Sequence, residues 1–255
     1  MLECTLYQEK EHIARIILNR PQVLNALNRK LWEEIYGNLE HAEKNQDIRA
    51  IIITGAGKAF CSGDDIKEVG RLQTPQEVRT FFQSAVNAIT KLVQLPKPVI
   101  AAVNGLAYGG GCEIAMLCDL VVASEEAAFA VPEALIGAIP PIASVIGSHI
   151  VGKFSVNMMM LTGRPIAATE AKQIGLINEV VSATHLIRAA EDLARRTMAT
   201  APSSIKSIKK LMRLRFREEE LMQAVEELIN IVQSDEGKEG HKAFIEKRLP
   251  SWVKP

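Results

Sequence analysis

The segment Asn104-Gly-Leu-Ala-Tyr-Gly-Gly-Gly-Cys-Glu113 follows an apolar strand-like run and opens a helix-like one. Three consecutive glycines let the main chain approach a ligand with no Cβ in the way. A helix start presents unpaired N–H groups and the positive end of the peptide dipole. Glu113 sits just inside that start. One short segment therefore sets anion-binding amides beside a proton-transfer group, a combination suited to chemistry on a carbonyl compound.

A second turn of this kind lies in Gly55-Ala-Gly-Lys-Ala-Phe-Cys-Ser-Gly-Asp-Asp-Ile-Lys-Glu68. As a dinucleotide fingerprint it fails. The third glycine is replaced by Phe60, which would obstruct close helix–strand packing. What remains is Ser62-Gly63-Asp64 leading into Asp65 as an N-cap, with Glu68 three residues on. Two such turns can each give one N–H to the same oxygen, and a single well-aimed donor is worth roughly 2.7–4 kcal/mol in a measured case. On local composition alone, two ordinary turns are the commoner explanation.

Glu113 and Glu133 both lie among core-type neighbours. A carboxylate in such surroundings either faces solvent or is desolvated and holds its proton more tightly. Two carboxylates in different environments can divide the acid and base roles. Taken singly, each is more often a solvent-facing glutamate. Asp64 and Asp65 have no third ligand at useful spacing, so no metal is expected. Ser62 lacks a nucleophile-elbow context. His12, His41, His149, His185 and His241 form no constellation. The basic run Lys206, Lys209, Lys210, Arg213, Arg215 and Arg217 reads as a solvated helix face in preference to a phosphate-binding surface.

The elements that must position these groups alternate between strands and helices. Strands are expected at 13–18, 50–54, 98–103, 120–124 and 176–181, and helices from Asn28 to about Asn45, from Pro75 to before Pro96, at 168–175 and from His185 to Met198. Beyond Ala201-Pro202 the pattern is helical only: 203 to about 216, 217–232 and 239–247. Leu221, Val225, Leu228 and Val232 form an apolar stripe that needs a partner surface. The expectation is an α/β core over residues 1–200 with a helical extension over 201–255.

The 255 residues are 47% apolar, enough for one large core, and 30 basic residues balance 30 acidic ones. That balance disfavours a dedicated nucleic-acid binder. Cys4, Cys61, Cys112 and Cys118 have no metal-ligand spacing and read as reduced thiols of an intracellular protein. No secretory signal or membrane-spanning run is expected, and the location expected is cytoplasmic.

The chain resembles the crotonase family, the enoyl-CoA hydratase/isomerase superfamily. The resemblance is carried by 18–27 (LNRPQVLNAL), 58–67 (KAFCSGDDIK), 104–113 with its Cys118-Asp119 continuation, Phe129-Ala-Val-Pro-Glu133, 161–165 (LTGRP), 171–176 (AKQIGL) and 243–250 (AFIEKRLP). It implies a spiral of ββα units with a helical C-terminal trimerisation region, assembled as a trimer or dimer of trimers. It implies an acyl-CoA thioester as substrate, no separate cofactor, and an oxyanion hole from the N–H groups of Asp64 and Gly110. Lys58 and the segment Ser62, Asp64, Asp65, Ile66 and Lys67 would line the CoA path. Glu113 would activate water and Glu133 would protonate Cα. Usually a small residue stands where Asp64 does, so its side chain is expected to point away. Pro141 stands where the hydratases carry a glycine whose N–H helps to hold the catalytic water, and proline has no N–H. The resemblance thus implies hydration of a 2-enoyl-CoA by an enzyme of specialised substrate range, or the reverse dehydration, with a double-bond isomerase as the nearest alternative. A non-catalytic RNA-binding protein on the same fold is the alternative from another class. The segment 69–78 is expected to shape the acyl pocket.

Overall fold

The computed structural model describes residues 3–213 and 216–253. Arg215 of the basic run lies outside the described residues.

Strands β1 (Thr5–Lys10) and β2 (Ile13–Leu18) form an antiparallel hairpin, followed by helix α1 (Arg29–Lys44). Asn28 caps α1 by accepting the Leu31 N–H, as its sequence position suggests. Three passes of a strand–strand unit follow. The first is β3 (Ala50–Gly55) and β4 (Ala59–Cys61), with helices α2 (Ile66–Val69) and α3 (Pro75–Gln94). The second is β5 (Val99–Val103) and β6 (Leu106–Tyr108), with α4 (Gly110–Leu117). The third is β7 (Leu120–Ser124) and β8 (Ala128–Ala130), with α5 (Pro141–Val151) and α6 (Lys153–Thr162). Then come β9 (Ile166–Ala167), α7 (Ala168–Gln173), β10 (Glu179–Val181), α8 (Leu186–Met198), α9 (Pro202–Met212), α10 (Glu218–Gln233) and α11 (Asp235–Ile245).

Each pass gives its first strand to one sheet and its second to another. The larger sheet has the order β1-β2-β3-β5-β7-β10 and is parallel from β2 onward. The smaller has the order β4-β6-β8-β9. This is the expected spiral of ββα units.

Burial on both faces explains the unbroken apolar strands. In β3, Ile51 and Ile53 join the main core with α1 and α3, while Ala50 and Ile52 pack with Leu186, Ala190 and Ala194 of α8. The apolar stripe of α10 finds its partner within the same chain: Leu221, Val225, Leu228 and Val232 are buried in the main core, against α3 and α5. No helix among the described residues is long and apolar enough to cross a membrane. The four cysteines are free thiols, and three of them are buried.

Candidate active site

The two glycine turns predicted to cooperate meet in space. A Cβ on Gly63 would lie 3.0 Å from the Tyr108 carbonyl oxygen and 3.4 Å from the Gly110 nitrogen. Asn104 couples the strands that lead to them: its Oδ1 accepts the Gly55 N–H at 3.0 Å, and its Nδ2 donates to the Gly57 and Ala59 carbonyls. The three glycines of the second turn divide their work. Gly109 has φ +52°, and a Cβ there would come within 3.1 Å of Glu133 Oε1. At Gly111 a Cβ would strike the Cys61 carbonyl at 2.4 Å, so this glycine serves strand–helix contact, where the sequence suggested ligand approach.

Main-chain bonds on either side of Asp64 are taken by Leu27. The Leu27 N–H donates to the Gly63 carbonyl at 2.8 Å, and the Asp65 N–H donates to the Leu27 carbonyl at 2.9 Å. Among the described residues, neither the Asp64 N–H nor the Gly110 N–H has a protein acceptor. Both residues line one cavity of about 420 Å³. Ser62, Ile66, Glu113 and Glu133 line it as well.

Glu113 is 4% exposed. Its Oε1 accepts the N–H of Ile142 at 2.8 Å and of Ala143 at 2.9 Å. These are the first free amides of α5, whose own N-cap, Pro140, supplies no side-chain bond. Pro141 occupies the first helical position, where a missing N–H costs the helix nothing. Burial pushes the Glu113 carboxyl up to about 7, the α5 amides pulling it down and the nearby Asp64 charge pushing it further up. Glu133 has the opposite setting. Its Oε2 is buried without a partner among the described residues, and burial, followed by the charge of Glu113, holds its proton well above the ordinary glutamate range.

Asp64 departs from expectation. The residue lines the cavity, its Oδ1 accepts the indole N–H of Trp32 at 3.1 Å, and its charge acts on both glutamates there. Burial raises its carboxyl to about 6, against the lowering effect of that bond.

Asp65 caps α2 by accepting the Glu68 N–H and pairs with Arg20 at 3.0 Å. It is not part of the cavity lining, and neither are Lys58 and Lys67, which are exposed. The stretch 69–78 contributes only Val69 to this cavity. Gly70, Leu72, Gln73, Thr74, Pro75 and Val78 line a neighbouring one, of about 540 Å³, that runs toward α11. The acyl-sized wall comes from residues the sequence did not single out for the site. Phe82 and Val86 of α3 line it, as do His241 and Phe244 of α11. The stripe residues Val225, Leu228 and Val232 of α10 also line it. The amphipathic spacing of α10 was the available signal, and nothing in it distinguishes a cavity wall from ordinary core. The basic run is partly engaged: Lys209 pairs with Asp119, Arg213 donates to the Gln94 carbonyl, and Arg217 lies 3.7 Å from Glu220.

A cavity that gathers two buried carboxyls and two free main-chain amides can hold a carbonyl oxygen while protons move at adjacent carbons. Comparisons with known proteins agree with that chemistry. The family model described as enoyl-CoA hydratase/isomerase matches residues 8–255. A short-chain-enoyl-CoA hydratase of Clostridium acetobutylicum is 35% identical, over 97% of this chain and 96% of that protein. A carnitinyl-CoA dehydratase of Proteus mirabilis is 36% identical, over 94% of each. The crystal structure of an enoyl-CoA hydratase/isomerase from Pseudoalteromonas atlantica superposes with a TM-score of 0.87 at 29% identity, covering 98% of this chain and 100% of that one. Reaching from residue 8 to the last residue, the match covers both glycine turns, both glutamates and the helices that close the cavity: the chain belongs to the enoyl-CoA hydratase/isomerase family.

Proposed function

We propose that the protein adds water across the 2,3 double bond of an enoyl-CoA thioester, or runs the reverse dehydration. The observation that carries this reading is the unequal setting of two glutamates in one cavity. Glu113 is held by two α5 amides, an arrangement that favours its ionised form. Glu133 has an unpartnered buried oxygen, which favours its protonated form. One base and one acid therefore stand ready together.

In this mechanism the thioester oxygen accepts the N–H groups of Asp64 and Gly110. Glu113 takes a proton from water as the water oxygen bonds to Cβ. The π electrons shift toward the thioester oxygen, which gains enolate character against the two amides. Glu133 then delivers its proton to Cα, and the 3-hydroxyacyl thioester results. The CoA belongs to the substrate, and the mechanism calls for no further cofactor. Pro141 donates nothing to the attacking water, which leaves the glutamate pair to orient it.

A double-bond isomerase needs one carboxyl as a shuttle, and the retention and fixing of Glu113 favour hydration over it. The RNA-binding reading loses support from the pairing of Lys209, Arg213 and Arg217. We further propose a cytoplasmic trimer or dimer of trimers with residues 201–255 as the oligomerisation region. Exposed apolar side chains such as Phe154, Leu161, Leu211 and Met212 suit subunit contacts.

Mixing the protein with crotonyl-CoA tests the proposal. Loss of the conjugated thioester absorbance with formation of 3-hydroxybutyryl-CoA is expected. Double-bond migration with no hydroxylated product would replace the hydratase by the isomerase.

A further inference from the structure

The hydration mechanism uses two of the cavity's three acids, and Asp64 is left over. Its backbone sits at the proposed oxyanion hole, and the residue lines the same cavity as Glu113 and Glu133. The charge of Asp64 reaches both glutamates and raises their carboxyls. Trp32 occupies one oxygen of Asp64, and the other has no hydrogen-bond partner among the described residues. A Cβ on Gly110 would meet Trp32 Cζ2 at 3.8 Å, so the same indole underlies one turn and fixes the side chain of the other.

An ionised carboxylate here opposes the enolate charge that the two amides stabilise, because like charges repel strongly in a site shielded from water. Something must offset it. Among the described residues no lysine or arginine lines the cavity. The imidazole of His241 is kept neutral by burial and is bonded through Nδ1 to the Gly237 carbonyl at 2.7 Å. The described residues thus supply no cation to the cavity, while Trp32, Tyr108, Phe82 and Phe244 supply aromatic surface of the kind that accepts one.

We infer that Asp64, held by Trp32, is a specificity-determining residue that selects acyl-CoA substrates carrying a positively charged nitrogen a few carbons from the thioester. This rests on the acyl-CoA reading of the cavity and names the class of acyl group it takes. The cation cancels the Asp64 charge when bound, so the feature that hinders a neutral acyl chain favours a cationic one.

Two saturated thioesters of nearly identical shape test it in binding. 4-(Trimethylammonio)butyryl-CoA carries the charge, and 5,5-dimethylhexanoyl-CoA replaces the nitrogen by carbon. Titration calorimetry at pH 8 is expected to show the charged ester bound at least about tenfold more tightly by the wild-type protein. In Asp64→Asn and Asp64→Ala the two esters should bind alike, with the neutral one at least as tightly as in the wild type. That retained binding shows that the variants are folded. Equal binding of the two by the wild type, a preference that survives both substitutions, or binding of neither ester overturns the inference. Turnover is read separately with crotonyl-CoA. A charge preference that depends on Asp64, in a protein that forms no hydroxyacyl product, supports the inference while it removes the hydratase reading.

Discussion

The two carboxyl-bearing walls of the cavity are built in different ways. Glu113 comes from the first turn of α4 and reaches across to cap α5, a contact between elements 29 residues apart in sequence. Glu133 begins a short 3-10 turn after β8, and its carboxyl faces the bare Cα of Gly109 with one oxygen unpaired among the described residues. Burial raises both carboxyls, and two chemically identical side chains acquire unequal proton affinities because the α5 amides pull only Glu113 back down. The lesson is that the two glutamates are distinguished here by which amides are free to meet them, and not by residue type.

Glu133→Gln attacks the proposed acid. With the Cα proton donor gone, kcat should fall by about 10³-fold to 10⁴-fold with little change in KM. Glu113→Gln attacks the base and should lower kcat by about 10²-fold to 10³-fold. Its amide oxygen can still accept the Ile142 and Ala143 N–H groups, so the fold is retained. Retention of near wild-type turnover by either variant, in a stopped assay with product analysis, would erase the distinction between the walls.

The pH profile sharpens the comparison. With Glu113 as the proposed base and its carboxyl near 7, kcat/KM should decline about tenfold per pH unit below that value. As the proposed acid, Glu133 must stay protonated, so the profile should fall again well above it. The two limbs belong to the interacting pair. A flat profile between pH 5 and 9 contradicts the assignment.

Stability moves the other way. A carboxyl raised from 4.5 to about 7 on folding binds more protons in the native state. Its favourable contribution is complete below 4.5 and is lost as pH rises through 7. At pH 8 the buried charge costs about 3 kcal/mol, taking roughly 1.36 kcal/mol per unit. Glu113→Gln should therefore raise Tm at pH 8 and change it little at pH 5, as differential scanning calorimetry would read. An equal shift at both pH values sinks this account. The smallest effect is expected from the apolar wall: Leu228→Ala should lower Tm by a few degrees and raise KM severalfold, with kcat nearly kept.

The long parallel strands were legible because burial on both faces leaves unbroken apolar runs such as Ala50 to Thr54. The helix from Asn28 was legible because its cap is local. The second sheet was not: β4, β6 and β8 have three residues each, too few for a periodic signal. The stretch 106–108 accordingly read as part of a turn. The expected strand at 176–181 is shorter, from Glu179, and the hairpin strand β1 carries mostly polar residues and was not foreseen. At the site, family motifs pointed to Glu113, Glu133, Asp64 and Gly110, while the capping of α5 by Glu113 and the Trp32–Asp64 bond are contacts between distant segments with no local mark. The wall made by α10 and α11 was hidden for the same reason.

The clamp of Leu27 on both neighbours of Asp64 separates two duties at one position. The amide is presented whatever side chain is attached, because Gly63 and Asp65 hold its plane. Residue 64 can therefore be exchanged with the hydrogen-bond donor left standing, and new acyl preferences can arise at this locus while the chemical step keeps its geometry.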